Sequence, residues 1–161
     1  NVITGDTYAR VRNADISGAT NVSITADNDS SIRATVLAVS GSLTFGGNTG
    51  VAVSIGAGAA INYIGVDQLG RGMGDVHAAV INSDIDSSGN FTLTADSTMD
   101  IDAIVVAGSV ALSATGGDSI AGSGAGAGTG NTIANSTLAY AQTTSHHEGF
   151  DARNFMVRST N

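Results

Sequence analysis

The sequence matches itself without gaps when it is shifted by 69 residues, from Asn13 to Asn82. Roughly a third of the aligned positions are identical, which marks a structural repeat. Repeats of fixed length stack on one another, because one unit alone cannot bury its apolar face. We therefore expect residues 69 positions apart to lie above one another. The clearest aligned pairs are Asn13 with Asn82, Asp15 with Asp84, Ile16 with Ile85, Ile32 with Ile101 and Leu43 with Leu112.

An Asn-x-Ile triplet recurs near the end of each repeat and begins at Asn1, Asn62 and Asn131. The pattern starts and stops inside repeats, so we expect it to continue in a longer chain. Within this sequence the repeats predict one continuous solenoid. Its predicted parts are the end of a preceding repeat at 1–5, repeat 1 at 6–74, repeat 2 at 75–136 and the start of a third repeat at 137–161.

Apolar residues alternate with small or polar ones inside each repeat, which is typical of β-strands with two different faces. The composition agrees, because Val and Ile together number 27 against 6 Leu, and 22 residues are Gly. Strands that recur with turns at equivalent places predict an all-β parallel β-solenoid built from 69-residue repeats, with essentially no helix. An antiparallel β-sandwich is the alternative, since Gly-rich turns can also join hairpins.

Equivalent polar residues in a stack of parallel coils form ladders with a spacing of about 4.8 Å. Side-chain hydrogen bonds along an asparagine ladder stabilise such a stack. We expect Asn13 to stack on Asn82 and Asn62 to stack on Asn131. The aligned pair Asp15 and Asp84 is predicted to form a third structural ladder.

The segment from Val51 to Ile61 is small or apolar at every position, a pattern that strands adopt when both faces are buried. We expect the larger side chains to point inward and the intervening glycines to form the other face. One interpretation places both faces inside a single chain; the other packs this segment against a neighbouring copy. The predicted assembly strip consists of Val51, Val53, Ile55, Gly56 and Gly58.

Several runs of the sequence resemble the repeats of very large bacterial surface adhesins of the filamentous-haemagglutinin-like, β-helical kind. The resemblance covers most of the chain and is carried by segments 11–16, 21–26 and 32–38, by the Gly/Ala-rich stretch that follows, and by the Asn62-x-Ile64 triplet. It implies secretion across the bacterial envelope, a rod-like stalk or fibre at the cell surface or in a biofilm, and contact with other cells or surfaces. It implies no catalytic residues.

Charge and composition exclude several other classes of protein. The net charge is −8, and six scattered Arg supply all the basic side chains, so the phosphate-neutralising cluster needed to bind nucleic acid is missing. No Cys is present, which excludes disulfides and thiolate metal sites. The uncharged stretch 34–66 is long enough to span a membrane, but its seven Gly and its many Ser and Thr argue against a span.

Metal and enzyme sites are not expected. Turn aspartates such as Asp27 and Asp29 could gather calcium, but the tandem nonapeptide of calcium-binding β-rolls is absent and we expect no cofactor. Adjacent His146 and His147 would point to opposite faces of a strand and suit one metal poorly. Arg33 aligns with Asp102 and is expected to form a charge pair between stacked coils.

The sequence therefore predicts a structural or adhesive repeat segment of an extracellular bacterial fibre that acts by stacking and lateral self-assembly, and not an enzyme. The alternative function is a glycan-binding or carbohydrate-active β-helix, which would need a site that breaks the repeat. The non-repeating segment from Thr143 to Asn154 is where such a site would be expected.

Overall fold

Every regular element in the computed structural model is a β-strand, across the residues it describes, which are 1–72, 74–143 and 149–161. The alternation of β-branched with small residues accounts for this, because it suits a pleated strand and not a helix. The strands are β1 (Val2–Ile3), β2 (Thr7–Arg12), β3 (Asp15–Ala19), β4 (Val22–Gly46), β5 (Thr49–Ile64), β6 (Gly74–Ile81), β7 (Asp84–Thr115), β8 (Asp118–Ile133), β9 (Asn135–Gln142) and β10 (Phe150–Thr160).

The strands form three sheets whose neighbours come from successive turns of the chain. The sheet orders are β1-β5-β8, β2-β6-β9 and β10-β7-β3, and β4 also pairs with β7. The pairings of β1 with β5, of β6 with β2 and β9, and of β7 with β3 and β10 are parallel. Parallel partners need a long connection and cannot be joined by a hairpin. The predicted all-β, parallel β-solenoid-like fold is therefore confirmed, and the antiparallel sandwich is wrong for these pairings.

The spacing along the chain between paired residues takes more than one value. It is 69 between Asp15 and Asp84 but 61 between Gly74 and Asn135. The connection from β5 to β6 accounts for the difference, because a pair that encloses this connection is eight residues further apart than a pair that does not. The single 69-residue period expected from the sequence is thus replaced by a 61-residue coil with one longer connection.

Asp67 organises the β5–β6 connection. The backbone N–H groups of Leu69 and Arg71 both donate to Asp67 Oδ1, at 2.8 Å each, and Arg71 Nε donates to Oδ2 at 3.2 Å. The Arg71 backbone N–H contributes most to holding the pKa of Asp67 below its usual value, against a smaller effect of desolvation. An Asp side chain that caps nearby backbone groups in this way makes the connection an ordered turn.

The chain divides into two compact units, described separately here: unit 1 contains Ile32–Asn62 and Ile101–Asn131 together with Asn1, and unit 2 contains Val2–Ser31, Tyr63–Asp100 and Thr132–Asn161. Unit 2 has an ordinary apolar core. The central strand β6 buries Val76 and Val80 completely, because it has a paired strand on each side. The ring of Phe91, which is 1% exposed, stacks on Phe155 with the two ring centroids 4.8 Å apart.

The interior of unit 1 is built from small side chains. Ala52, Ser54 and Ala60 are buried on β5, and Ser54 Oγ lies 2.9 Å from Ser40 Oγ of β4, within hydrogen-bond distance. A Cβ atom added to Gly56 would overlap the carbonyl oxygen of Gly108 on β7. The strands of unit 1 therefore approach one another so closely that only Gly, Ala and Ser fit between them.

The faces of β5 are the reverse of the sequence prediction. Val51, Val53 and Ile55 were expected to point inward, but they are 62%, 62% and 74% exposed. Gly56 is buried and Gly58 partly buried in the interior, on the face that was expected to be the opposite one. The physical reason is the narrow space between the strands, which admits the small residues and leaves the branched ones outside.

Candidate functional site

The asparagine ladder of unit 1 runs through Asn1, Asn62 and Asn131. Asn1 Nδ2 donates to Asn62 Oδ1 at 2.7 Å, and Asn62 Nδ2 donates to Asn131 Oδ1 at 2.9 Å. Asn62 is completely buried between the other two. Each carboxamide thus satisfies the next one, which lets a polar side chain occupy the interior without an unpaired group.

Asn13 and Asn82 have a different role from the one expected. No side-chain hydrogen bond joins them in the described part of the chain. Both instead adopt left-handed backbone conformations, with φ of 52° and 49°. Asn13 N donates to the carbonyl of Ile81 at 3.0 Å, and Asn82 N donates to that of Gln142 at 2.8 Å. Asparagine tolerates this conformation better than most residues, so the repeat marks a turn.

The aspartates Asp15 and Asp84 pair in register between β3 and β7. Asp84 Oδ1 accepts a hydrogen bond from Gly149 N at 3.0 Å, which compensates part of the repulsion between the stacked carboxylates. Asp86 and Asp151 are also paired, and all four line one open cavity of unit 2. Within residues 1–72, 74–143 and 149–161, no three carboxylate or imidazole groups are arranged to hold a metal ion.

Unit 1 exposes two apolar outer faces. On each, every second residue of two stacked strands is a large aliphatic or aromatic side chain that points to solvent, and each of these side chains is more than half exposed. The β4–β7 face consists of Leu37, Val39, Leu43, Phe45, Ile104, Val106, Val110 and Leu112. The β5–β8 face consists of Val51, Val53, Ile55, Ile61 and Ile120, together with outward glycines of β8.

The β4–β7 face was missed by sequence reasoning. Its signal lay in residue size: within 34–45 of β4 the outward positions carry Leu37, Val39, Leu43 and Phe45, whereas the inward positions carry mainly Ala, Ser and Thr. Both sets read as strand-forming, so the alternation alone does not say which set faces solvent. The segregation of large from small residues was the observation to follow.

Charge is distributed very unevenly between the two units. Of the 20 Asp, Glu and Arg residues in the chain, unit 1 contains three, namely Arg33, Asp102 and Asp118. Unit 1 therefore has a formal charge of −1, and the rest of the chain has −7. Arg33 Nε lies 3.5 Å from Asp102 Oδ2, which confirms the expected pair between stacked coils. Because both side chains are well exposed, this pair contributes little to stability.

The outer surface of the β2-β6-β9 sheet in unit 2 is polar. The Tyr8 ring meets His77 edge-on with 5.3 Å between the centroids, and Tyr8 Oη donates to Asp75 Oδ2 at 3.3 Å. Desolvation, followed by the carboxylates of Asp6 and Asp75, raises the pKa of Tyr8 above its usual value. Tyr8 thus lies beside carboxylates, an arrangement that leaves the glycan-binding alternative a prediction.

The remaining sequence predictions concern the segment after β9 and the membrane. His146 and His147, with most of the non-repeating segment, lie outside the described residues. In the part of the chain that the structure describes, no helix is long and apolar enough to cross a lipid bilayer. Comparison with known proteins finds no match to a family model, a curated protein or a solved structure.

Proposed function

We propose that this chain is a structural and adhesive repeat segment of an extracellular bacterial fibre, which acts by stacking and by lateral association with further copies of itself. The observation that carries the proposal is the pair of apolar outer faces on unit 1. Monomeric soluble proteins rarely expose contiguous apolar patches larger than about 300–600 Å². A face of this kind is stable in water when another apolar surface covers it.

The charge distribution favours a second copy as the covering surface. Unit 1 is nearly neutral, so two copies can bring these faces together without strong repulsion, whereas the charged residues of the chain lie elsewhere. A strongly charged partner would find few ion-pairing groups on either face. Association through aliphatic side chains is driven by burial of apolar surface and is expected to persist at high salt.

The bacterial cell surface belongs to the same proposal. The resemblance of the repeats to those of surface adhesins supports it, as does the absence of Cys from a chain that would be exported. In this function no residue performs chemistry, because repetition itself supplies length, stiffness and lateral contact area.

Analytical ultracentrifugation over a concentration series tests this proposal. We expect the wild-type chain to associate reversibly, in low or high salt, and to form filaments visible by electron microscopy at high concentration. A double variant with charge on both faces, Leu43→Asp with Val53→Asp, should be monomeric while its circular dichroism spectrum is unchanged.

The matched control is Leu138→Asp, which places the same charge at an exposed apolar position of unit 2 and should associate like the wild type. A wild-type chain that stays monomeric at every concentration would refute the proposed function. Equal loss of association in the control variant would assign the effect to net charge and not to the faces of unit 1.

A further inference from the structure

The β5–β8 face of unit 1 contains a ridge and a trough side by side. The ridge consists of Val51, Val53 and Ile55 on β5, all pointing outward. On the neighbouring strand β8, the outward positions from Gly122 to Gly130 are glycines. At Gly122, Gly124, Gly126 and Gly128, an added Cβ atom would meet no atom within 4 Å. The trough is therefore open along nearly its whole length.

The orientation of β8 follows from two contacts. Asn131 accepts a hydrogen bond from the buried side chain of Asn62, so odd-numbered residues of β8 point inward. An added Cβ at Gly130 would lie 4.0 Å from Ile61 Cγ2, a side chain on the outer face. The even-numbered glycines thus share the outer face with the ridge, one strand spacing of about 4.8 Å to its side.

We propose, on the basis of the lateral association proposed above, that a second copy of this chain binds the β5–β8 face about a two-fold axis parallel to the strands. In this arrangement β5 of each copy lies over β8 of the other. Val53 and Ile55 then enter the trough of the second copy at its Gly122 and Gly124. The same contact is made twice, as in any isologous interface.

The geometry of the face selects this axis. A two-fold axis perpendicular to the strands would place β5 over β5, so the two ridges would collide and the two troughs would leave a void. With the axis parallel to the strands and midway between β5 and β8, every ridge residue of 53–57 faces a glycine. The ridge and the trough of one chain are therefore complementary to those of an identical chain and need no other partner.

The size of the face agrees with a reversible contact. The fourteen-residue part of β5 in unit 1 is about 46 Å long and two strands are about 10 Å wide, from standard strand spacings. Two copies would then bury about 900 Å² in total, close to the roughly 1,000 Å² at which specific interfaces begin. We expect a dimer that dissociates readily, with affinity that increases as further repeats add area.

Asp118 supplies a test of the symmetry. It has the same outward parity as Ile120 at the end of β8 and is the only charged residue on this face among the described residues. The proposed axis brings the two copies of Asp118 close together, where like charges repel. Asp118→Asn should therefore strengthen association severalfold at low salt and less at high salt.

The decisive variant is Gly124→Val, measured by sedimentation equilibrium. It fills the trough, so ridge-in-trough packing predicts at least tenfold weaker association, although the added side chain is apolar. Unspecific association of apolar surfaces predicts the opposite, namely stronger association. The matched control is Gly41→Val on the β4–β7 face, where an added side chain also has free space and should leave the dimer constant unchanged.

The outcomes separate this inference from the proposed function. Weaker association of Gly124→Val with an unchanged Gly41→Val supports the arrangement. If Gly124→Val associates as well as the wild type, or better, while Leu43→Asp abolishes association, the copies meet through the other face; the inference is then wrong and the proposed function stands. If the wild-type chain does not associate at all, both are wrong. Circular dichroism and the urea midpoint confirm that each variant is folded.

Discussion

Gly56→Ala is expected to destabilise the chain by about 1–3 kcal/mol, the usual range for overpacking a close-packed interior. The added methyl group would overlap the carbonyl oxygen of Gly108, and the nearest side-chain atom, Ser40 Oγ, would lie 3.3 Å away. Because the closest obstacle is backbone and not a flexible side chain, the strands themselves must move apart. Urea denaturation followed by circular dichroism, at concentrations too low for association, measures the change.

The control for this prediction is the same substitution on the outer face. Gly41 lies on β4 with nothing within 4 Å of an added Cβ atom, so Gly41→Ala should stabilise the chain by about 0.4–1 kcal/mol through the reduced freedom of the unfolded chain. Opposite signs at the two glycines are the expected result. Equal effects would mean that the interior of unit 1 is not narrow, and that Gly56 is not buried between strands.

Asn62→Asp is expected to destabilise the chain at neutral pH by about 1–3 kcal/mol or more, the cost of burying a polar group without its partner. The introduced carboxylate would have no hydrogen to donate to Asn131 Oδ1, and its charge would be completely buried. Burial raises the pKa of such a carboxyl in the folded state. The loss should therefore be complete above the raised pKa and should decrease as the pH falls towards about 4, where protonation restores a donor.

Asn131→Asp is the matched control for the ladder. Asn131 is exposed at the end of the ladder, so a carboxylate at this position stays hydrated and still accepts a hydrogen bond from Asn62 Nδ2. We expect a change in the free energy of unfolding within about 0.5 kcal/mol, as for most surface substitutions. Urea denaturation of both variants between pH 4 and 8 tests the contrast. A pH-independent loss in Asn62→Asp would show that its side chain is not buried in a ladder.

The sequence was sufficient to predict the parallel stack but not its interior. Period-two alternation and the internal repeat lead directly to stacked strands, and Asn62 and Asn131 lie on one another in the structure. The inward face of β5 was assigned by the general rule that large apolar residues are buried. That rule fails here because the distance between strands, which the sequence does not contain, excludes Val51 and admits Gly56.

The repeat length shows a similar limit. An ungapped match at 69 residues contains the β5–β6 connection in every aligned pair, so the comparison cannot separate the coil from the connection. Only the pairing of Gly74 with Asn135, 61 residues later, separates them. The asparagines at 13 and 82 were correctly singled out as equivalent. Their left-handed backbone is a property of φ, which an alternating pattern does not specify.

Scalar couplings across hydrogen bonds, measured by NMR spectroscopy, test the parallel stack most directly. The account predicts couplings from Asn13 N to the carbonyl carbon of Ile81, from Asn82 N to that of Gln142, and from Ala134 N to that of Ile64. Each of these bonds joins one coil to the next. Couplings that instead connect β4 with β5 in the antiparallel pattern of a hairpin, with those three absent, would contradict the account.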